Sequence, residues 1–145
     1  GQNGGSIADY LACMAYLGDS TDDLTFPAGS FERARQDALT YRISDELDSA
    51  LWVAARHSFV LPKERRVPEV KVTLRWEYER NLGFLAEELK GPYLMGEKMT
   101  VPDIVLTHCL RWARNARFPE PPASLNNFLK EMEARPALQR AAELP

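Results

Sequence analysis

Apolar side chains recur every three or four residues along most of the chain, which is the spacing of amphipathic helices. The first such stretch predicts a short helix over residues 7–17, opened by Ser6 and Asp9 at capping-box spacing and ended by Gly18. Its apolar members are Ile7, Tyr10, Leu11, Met14 and Leu17. Residues 19–29 contain an acidic run and a Pro-Ala-Gly turn, so they predict a linker.

A long helix is predicted from Ser30 to about Phe59, with Ser30 as its N-cap. At 100° per residue its apolar side chains occupy two faces. The first face holds Ala34, Ala38, Tyr41 and Trp52, and the second holds Leu39, Ile43, Leu47, Ala50 and Ala54. A helix that is apolar on two sides is expected to be buried on two sides. One face can pack within the domain, and the other requires a further neighbour.

The second half of the chain predicts four more helices. A single apolar stripe extends from Glu69 to Leu89, and Trp76 lies off that stripe. Thr100 and Asp103 have capping-box spacing and predict a helix that continues to about Arg117. Two shorter helices are predicted over residues 124–133 and 136–143. Because no segment requires the alternation of a half-buried strand, the predicted fold class is all-α.

Composition narrows the possible functions of the chain. Its 145 residues suffice for one domain with its own core. A net charge of −3 without a basic face argues against nucleic-acid binding, and no apolar run approaches the roughly 20 residues that cross a membrane. Cys13 and Cys109 have neither zinc-site nor disulfide-framework spacing, so no metal site is predicted. Low cysteine content without a signal peptide predicts a cytoplasmic protein.

Four segments, taken in order, resemble the glutathione transferase superfamily. They are Ile7-Ala-Asp-Tyr-Leu11; Leu24-Thr-Phe-Pro27 with Glu32-Arg-Ala34; Tyr93-Leu-Met-Gly-Glu97 with Met99-Thr-Val-Pro-Asp-Ile104 and Leu110-Arg-Trp112; and Arg135-Pro-Ala137. The resemblance implies a glutathione transferase C-terminal-like bundle of five to six helices over residues 30–145. It also implies that residues 1–18 correspond to the last helix of the family's thioredoxin-like domain, followed by the linker at 19–29.

The same resemblance implies how the function is divided. The intact protein would conjugate glutathione, as co-substrate, to a small hydrophobic electrophile, with no tightly bound cofactor, and would form a homodimer. The Tyr, Ser or Cys that activates the thiol belongs to the missing thioredoxin-like domain, so this truncated chain holds no catalytic residue and is predicted to be inactive alone. The family's glutathione-binding Ser motif falls at Asn3-Gly4, and Ser6 is the nearest candidate, displaced by two residues.

In this family the second substrate lies between the long helix and the inner helix. The matching residues here are Tyr41, Asp45 and Asp48 on the first, and His108, Arg111, Trp112 and Asn115 on the second. Other interpretations are a core or interface role for Tyr41, a structural imidazole for His108, and a solvated face for Arg111 with Arg114 and Arg117. Thr100 and Asp103 are interpreted as a structural N-cap. An alternative function is a non-catalytic helical module that docks other proteins.

Overall fold

The structure is a computed structural model that describes residues 5–21 and 23–143. Counting the long helix once, these residues form six α-helices and a short 3-10 helix at Lys63–Arg65, and their only β pairing is an isolated bridge between Tyr93 and Gly96. The all-α prediction is therefore confirmed. None of the helices in the described ranges is long and apolar enough to span a lipid bilayer.

Helix α1 occupies Tyr10–Thr21, so the predicted start at Ile7 and end at Gly18 were wrong. Asp9, not Ser6, closes the N-terminus: its backbone has φ 73° and its Oδ1 accepts a hydrogen bond of 2.8 Å from the Leu11 amide. Gly18 lies inside the helix and is buried. It packs closely against the linker, since a Cβ added to Gly18 would stand only 3.4 Å from the Thr25 Cβ. The linker packs against the helix at this point.

The long helix is continuous from Phe31 to Val60, as predicted. It consists of α2 (Phe31–Ile43), a π-helical turn (Ser44–Asp48), α3 (Ser49–Ala55) and a second π-helical turn (Arg56–Val60). Ser30 is its N-cap, since its hydroxyl oxygen accepts a hydrogen bond from the Arg33 amide. One face is buried and the other is exposed within this chain, with Tyr41 at 65% and Trp52 at 48% exposure. The prediction of burial on two sides is thus met on one side only.

The remaining helices lie close to their predicted positions. They are α4 (Val70–Glu88), α5 (Val101–Asn115), α6 (Ala123–Glu133) and α7 (Pro136–Ala142). The core is formed where the long helix, α4, α5 and α6 meet. Its fully buried members include Ile43, Leu47, Tyr78, Leu82, Leu106 and Leu125. The Tyr78 and Phe118 rings meet edge to face, with 5.2 Å between their centroids.

The linker is tied to the bundle by polar contacts. Arg33 on α2 forms ion pairs with Asp19 of α1 and with Asp37 one turn along its own helix. These carboxylates raise the pKa of Arg33, and the guanidinium lowers the pKa of Asp19. The side-chain amide of Gln36 accepts a hydrogen bond from the Phe26 backbone amide and donates one to the Thr25 hydroxyl. These contacts fix α1 against the N-terminal half of the long helix.

Candidate functional site

The first turn of α5 is closed by a reciprocal set of hydrogen bonds. Asp103 accepts from the Thr100 amide at 2.8 Å, which is the carboxylate half of a capping box, and the same oxygen accepts from the Thr100 hydroxyl at 3.1 Å. Its other oxygen accepts from the Leu94 amide at 2.8 Å, which joins the preceding turn to the helix. Asp103 is fully buried, and this desolvation raises its pKa against the opposing effect of the hydrogen bonds. The polar atoms of both side chains are used in these hydrogen bonds, which fix the first turn of α5 in the bundle.

On the long helix, the candidate residues lie at the first π-helical turn and just before it. Tyr41 and Asp45 are exposed. Asp48 accepts a hydrogen bond of 2.9 Å from the Tyr10 hydroxyl of α1. Burial and this carboxylate together raise the pKa of Tyr10, so the phenol stays protonated and keeps donating. Asp48 therefore joins α1 to the long helix at the edge of the candidate cleft.

On α5, the structure brings two of the candidates together. The His108 and Trp112 rings lie 5.8 Å apart at a tilt of 52°. His108 is exposed and Trp112 is half-buried against the core. Asn115, the last residue of α5, is exposed. An aromatic pair of this kind offers an apolar surface with one polar edge.

Arg111 is directed toward α6. Its Nε lies 3.5 Å from the Glu133 carboxylate, which also receives Arg114 at 2.6 Å. The pairing lowers the pKa of Glu133, mainly through the hydrogen bond from Arg114. Arg111 and Arg114 thus share one acid between helices, instead of forming the purely solvated face that was considered from the sequence.

Two of the candidate residues, Tyr41 and Trp112, line cavities, and the two cavities are different. Tyr41 lines one of about 320 Å³ between α1 and α2, together with Asp9, Arg33 and Asp37. Trp112 lines another of about 340 Å³ between the end of the long helix, the start of α4 and the end of α5. The structure therefore separates Tyr41 from Trp112, which the sequence interpretation had placed in one pocket.

The glutathione candidate Ser6 lies exposed in the irregular segment before α1, four residues ahead of Tyr10. Asn3-Gly4, where the family motif was expected, fall outside the described residues. Within the described ranges, no three His, Cys, Asp or Glu side chains converge as metal ligands.

Comparison with known proteins decides the family. The family model described as the glutathione S-transferase C-terminal domain matches residues 49–138, well over half of the chain. The chain belongs to this family. A search of curated protein sequences finds no significant match.

Solved glutathione transferases share this fold. BphK, a bacterial glutathione transferase determined as a ternary complex, is 28% identical with a TM-score of 0.84 over 98% of this chain and 71% of its own. A glutathione transferase from Methylococcus capsulatus is 26% identical, with a TM-score of 0.74 over 93% of this chain and 66% of its own. URE2P6 from Phanerochaete chrysosporium, determined with oxidized glutathione, is 25% identical, with a TM-score of 0.77 over 97% of this chain and 67% of its own. The chain thus spans about two-thirds to seven-tenths of these transferases.

Sequence reasoning missed several residues of this glutathione transferase domain that join its helices or line its cavities. Tyr10 was assigned only to an apolar stripe, yet its hydroxyl binds Asp48. Lys71, Arg75 and Phe118 line the Trp112 cavity but were not singled out. The one available signal was the pair of cations at i and i+4 on α4, which helical spacing places on the same face. Cys109 is fully buried, and this burial raises the pKa of its thiol, which disfavours the nucleophilic thiolate.

Proposed function

We propose that this chain is the electrophile-binding, C-terminal part of a cytoplasmic glutathione transferase. The supporting observation is its match to BphK over 98% of the chain, with the chain accounting for 71% of that enzyme's length. In this proposal a thioredoxin-like domain precedes the chain and activates the thiol of glutathione, and the helical domain supplies the pocket for a small hydrophobic electrophile. Glutathione acts as co-substrate, and no tightly bound cofactor is required.

The proposed pocket has its wall on α5, at His108 and Trp112. Asp45 and Asp48 would line the opposite edge along the long helix, and Asn115 would lie at the far end. Tyr41 remains a candidate on the same helix, although in this chain it lines a separate cavity between α1 and α2. Arg111 contributes least in this proposal because its guanidinium faces Glu133 on α6. Ser6 remains the candidate for contact with glutathione, although Asp9 is the residue that closes helix α1.

We further propose that the protein forms a homodimer through the outer side of α4. Val72, Trp76 and Phe84 are exposed there by 75%, 58% and 43%. Arg80 lies over both aromatic rings, at 5.4 and 5.7 Å from their centroids, and Arg42 of the long helix lies over Phe84 at 5.5 Å. Exposed aromatic rings interleaved with arginines have the composition typical of the central part of an interface.

The alternative is a non-catalytic docking module of the same fold, and the α4 surface favours it as much as it favours a dimer of an enzyme. The intact mass of the protein as the cell makes it helps to distinguish the transferase from the docking module. A transferase predicts a product larger than 16.4 kDa by a thioredoxin-like domain with a Tyr, Ser or Cys near its first turn. A product of 16.4 kDa, or an upstream domain without such a residue, would favour the docking module.

A further inference from the structure

The cavity beside Trp112 has a floor of apolar side chains and a rim of positive charge. Leu51, Trp112 and Phe118 supply apolar surface, and Lys71 and Arg75 supply the charge. Its volume of about 340 Å³ lies at the lower end of the range for small-molecule sites. No carboxylate belongs to the residues that line it.

The two cations are held at the cavity by contacts of their own. The Lys71 Nζ donates a hydrogen bond of 3.3 Å to the Ser58 hydroxyl, and the Arg75 guanidinium lies 5.3 Å from the centroid of the Phe118 ring. Lys71 and Arg75 are one helical turn apart on α4, where like charges repel each other. Among the described residues neither of them forms an ion pair with a carboxylate; the arginines that do so are Arg33, Arg42, Arg111 and Arg114.

The backbone of α4 adds no free donors to this rim. The amides of Val70, Lys71 and Val72 already donate to carbonyl oxygens of residues 67–69. The positive potential at the cavity therefore comes from side chains, and an anion placed between Lys71 and Arg75 would relieve their mutual repulsion. The Arg66 guanidinium, which donates to the carbonyl oxygens of Ser58 and Phe59, adds to this potential. Apolar side chains line the same cavity, so a ligand that fits it carries both an apolar body and a negative group.

We propose that this cavity binds a small aromatic carboxylate, with its ring against Trp112 and Phe118 and its carboxylate between Lys71 and Arg75. We propose also that the second substrate belongs to this class of anionic aromatic compounds. Only the second statement rests on the proposed transferase function, because the first concerns ligand binding to this chain alone.

The test compares two probes that share one ring system and differ in charge, 2-naphthoate and 2-naphthamide. Each is titrated into the chain while the indole NMR signals of Trp52, Trp76 and Trp112 are followed, after assignment by single Trp→Phe variants. The Trp112 signal is expected to shift, and naphthoate is expected to bind roughly fivefold or more tightly than naphthamide. In the Lys71→Gln/Arg75→Gln double variant the affinity for naphthoate should fall to that for naphthamide.

A matched control removes two positive charges elsewhere, by Arg35→Gln on α2 and Lys130→Gln on α6, and should leave the naphthoate preference unchanged. If the double variant does not fold, raising the salt from about 0.05 to about 0.5 M should weaken naphthoate alone, because ionic strength screens the exposed pair. The proposed site would be overturned if the parent chain bound naphthoate and naphthamide with equal affinity, or if it bound neither probe. It would also be overturned if only the NMR signal of Trp52 or Trp76 shifted.

The result of the binding test does not depend on whether the full-length protein is a transferase. Naphthoate preference at Trp112 together with an inactive full-length protein would refute the transferase and leave the binding site intact. An active full-length transferase that prefers neutral aromatic electrophiles would refute the substrate class.

Discussion

Helix α5 and the long helix differ in where their partners lie. Around the start of α5, Thr100, Asp103 and Leu106 are all fully buried, and the polar groups of the first turn are paired within the chain. The long helix buries Ile43 and Leu47 but exposes Tyr41 and Trp52. The comparison indicates that the first turn of α5 is satisfied within this domain, whereas the long helix leaves one apolar face exposed. We propose that this face meets a neighbour outside the domain.

The strongest test of this contrast removes one cap from each helix. Asp103→Ala should destabilise the domain by about 3 kcal/mol, because it leaves the buried amides of Leu94 and Thr100 without acceptors. Ser30→Ala, at the half-buried cap of the long helix, should cost only about 1 kcal/mol. Urea unfolding followed by circular dichroism measures both.

Asp103→Asn is the matched control for that cap. It keeps one carbonyl oxygen and the same volume, so its destabilisation should be clearly smaller than that of Asp103→Ala. Equal stability of Asp103→Ala and the parent would show that α5 is not held by its first turn.

The second prediction concerns the outer side of α4. Trp76→Glu should weaken self-association by about 2 kcal/mol, roughly thirtyfold in the dissociation constant, because it replaces a central aromatic with a charge. Sedimentation equilibrium measures this change. Phe31→Glu, which alters a 75%-exposed ring at the start of the long helix, is the control and should leave the dimer intact. Dissociation by Phe31→Glu but not by Trp76→Glu would place the interface elsewhere.

The third prediction concerns Tyr78, whose buried hydroxyl has no hydrogen-bond partner among the described residues. Burial raises the pKa of this phenol, so it stays neutral. Tyr78→Phe removes an unpaired polar atom and keeps the ring on Phe118, so we expect unchanged stability or a gain of up to about 1 kcal/mol. Tyr78→Leu loses the ring contact and should be destabilising. A clear loss in Tyr78→Phe, measured by thermal unfolding, would show that the hydroxyl has a partner.

The smallest expected effect is that of pH on the α5–α6 contact. Arg114 lowers the pKa of Glu133 below its unfolded value of 4.5. The pair therefore stabilises the fold above that value, and the stabilisation is lost as the pH falls through the lower folded pKa. Because both side chains are partly exposed, the contribution should not exceed about 0.5 kcal/mol. Glu133→Gln should remove this part of the acid dependence; an unchanged pH profile would mean that the pair contributes nothing.

The sequence was sufficient for elements that are determined by local periodicity and capping. The long helix, α4 and α5 begin and end near their predicted residues because apolar spacing and cap residues are local properties. The start of α1 was missed because the helix is closed by Asp9 in a left-handed backbone conformation, which periodicity does not encode. Its extension past Gly18 depends on packing against Thr25 of the linker.

The candidate site was predictable only in part, for a similar reason. Helical spacing correctly placed His108 and Trp112 side by side on α5. It could not show that Arg111 turns toward Glu133, nor that Lys71, Arg75 and Phe118 meet beside Trp112, since these residues come from separate elements. Cavities between helices are set by tertiary packing, and a single sequence does not reveal it.

The central claim is tested most directly by glutathione conjugation to a chlorinated aromatic compound. The reaction is measured side by side for this 145-residue chain and for the full product of its gene. We expect turnover by the full product and only the uncatalysed rate with the chain. Turnover by the chain alone would contradict the division of labour between the two domains, and an inactive full product would contradict the transferase itself.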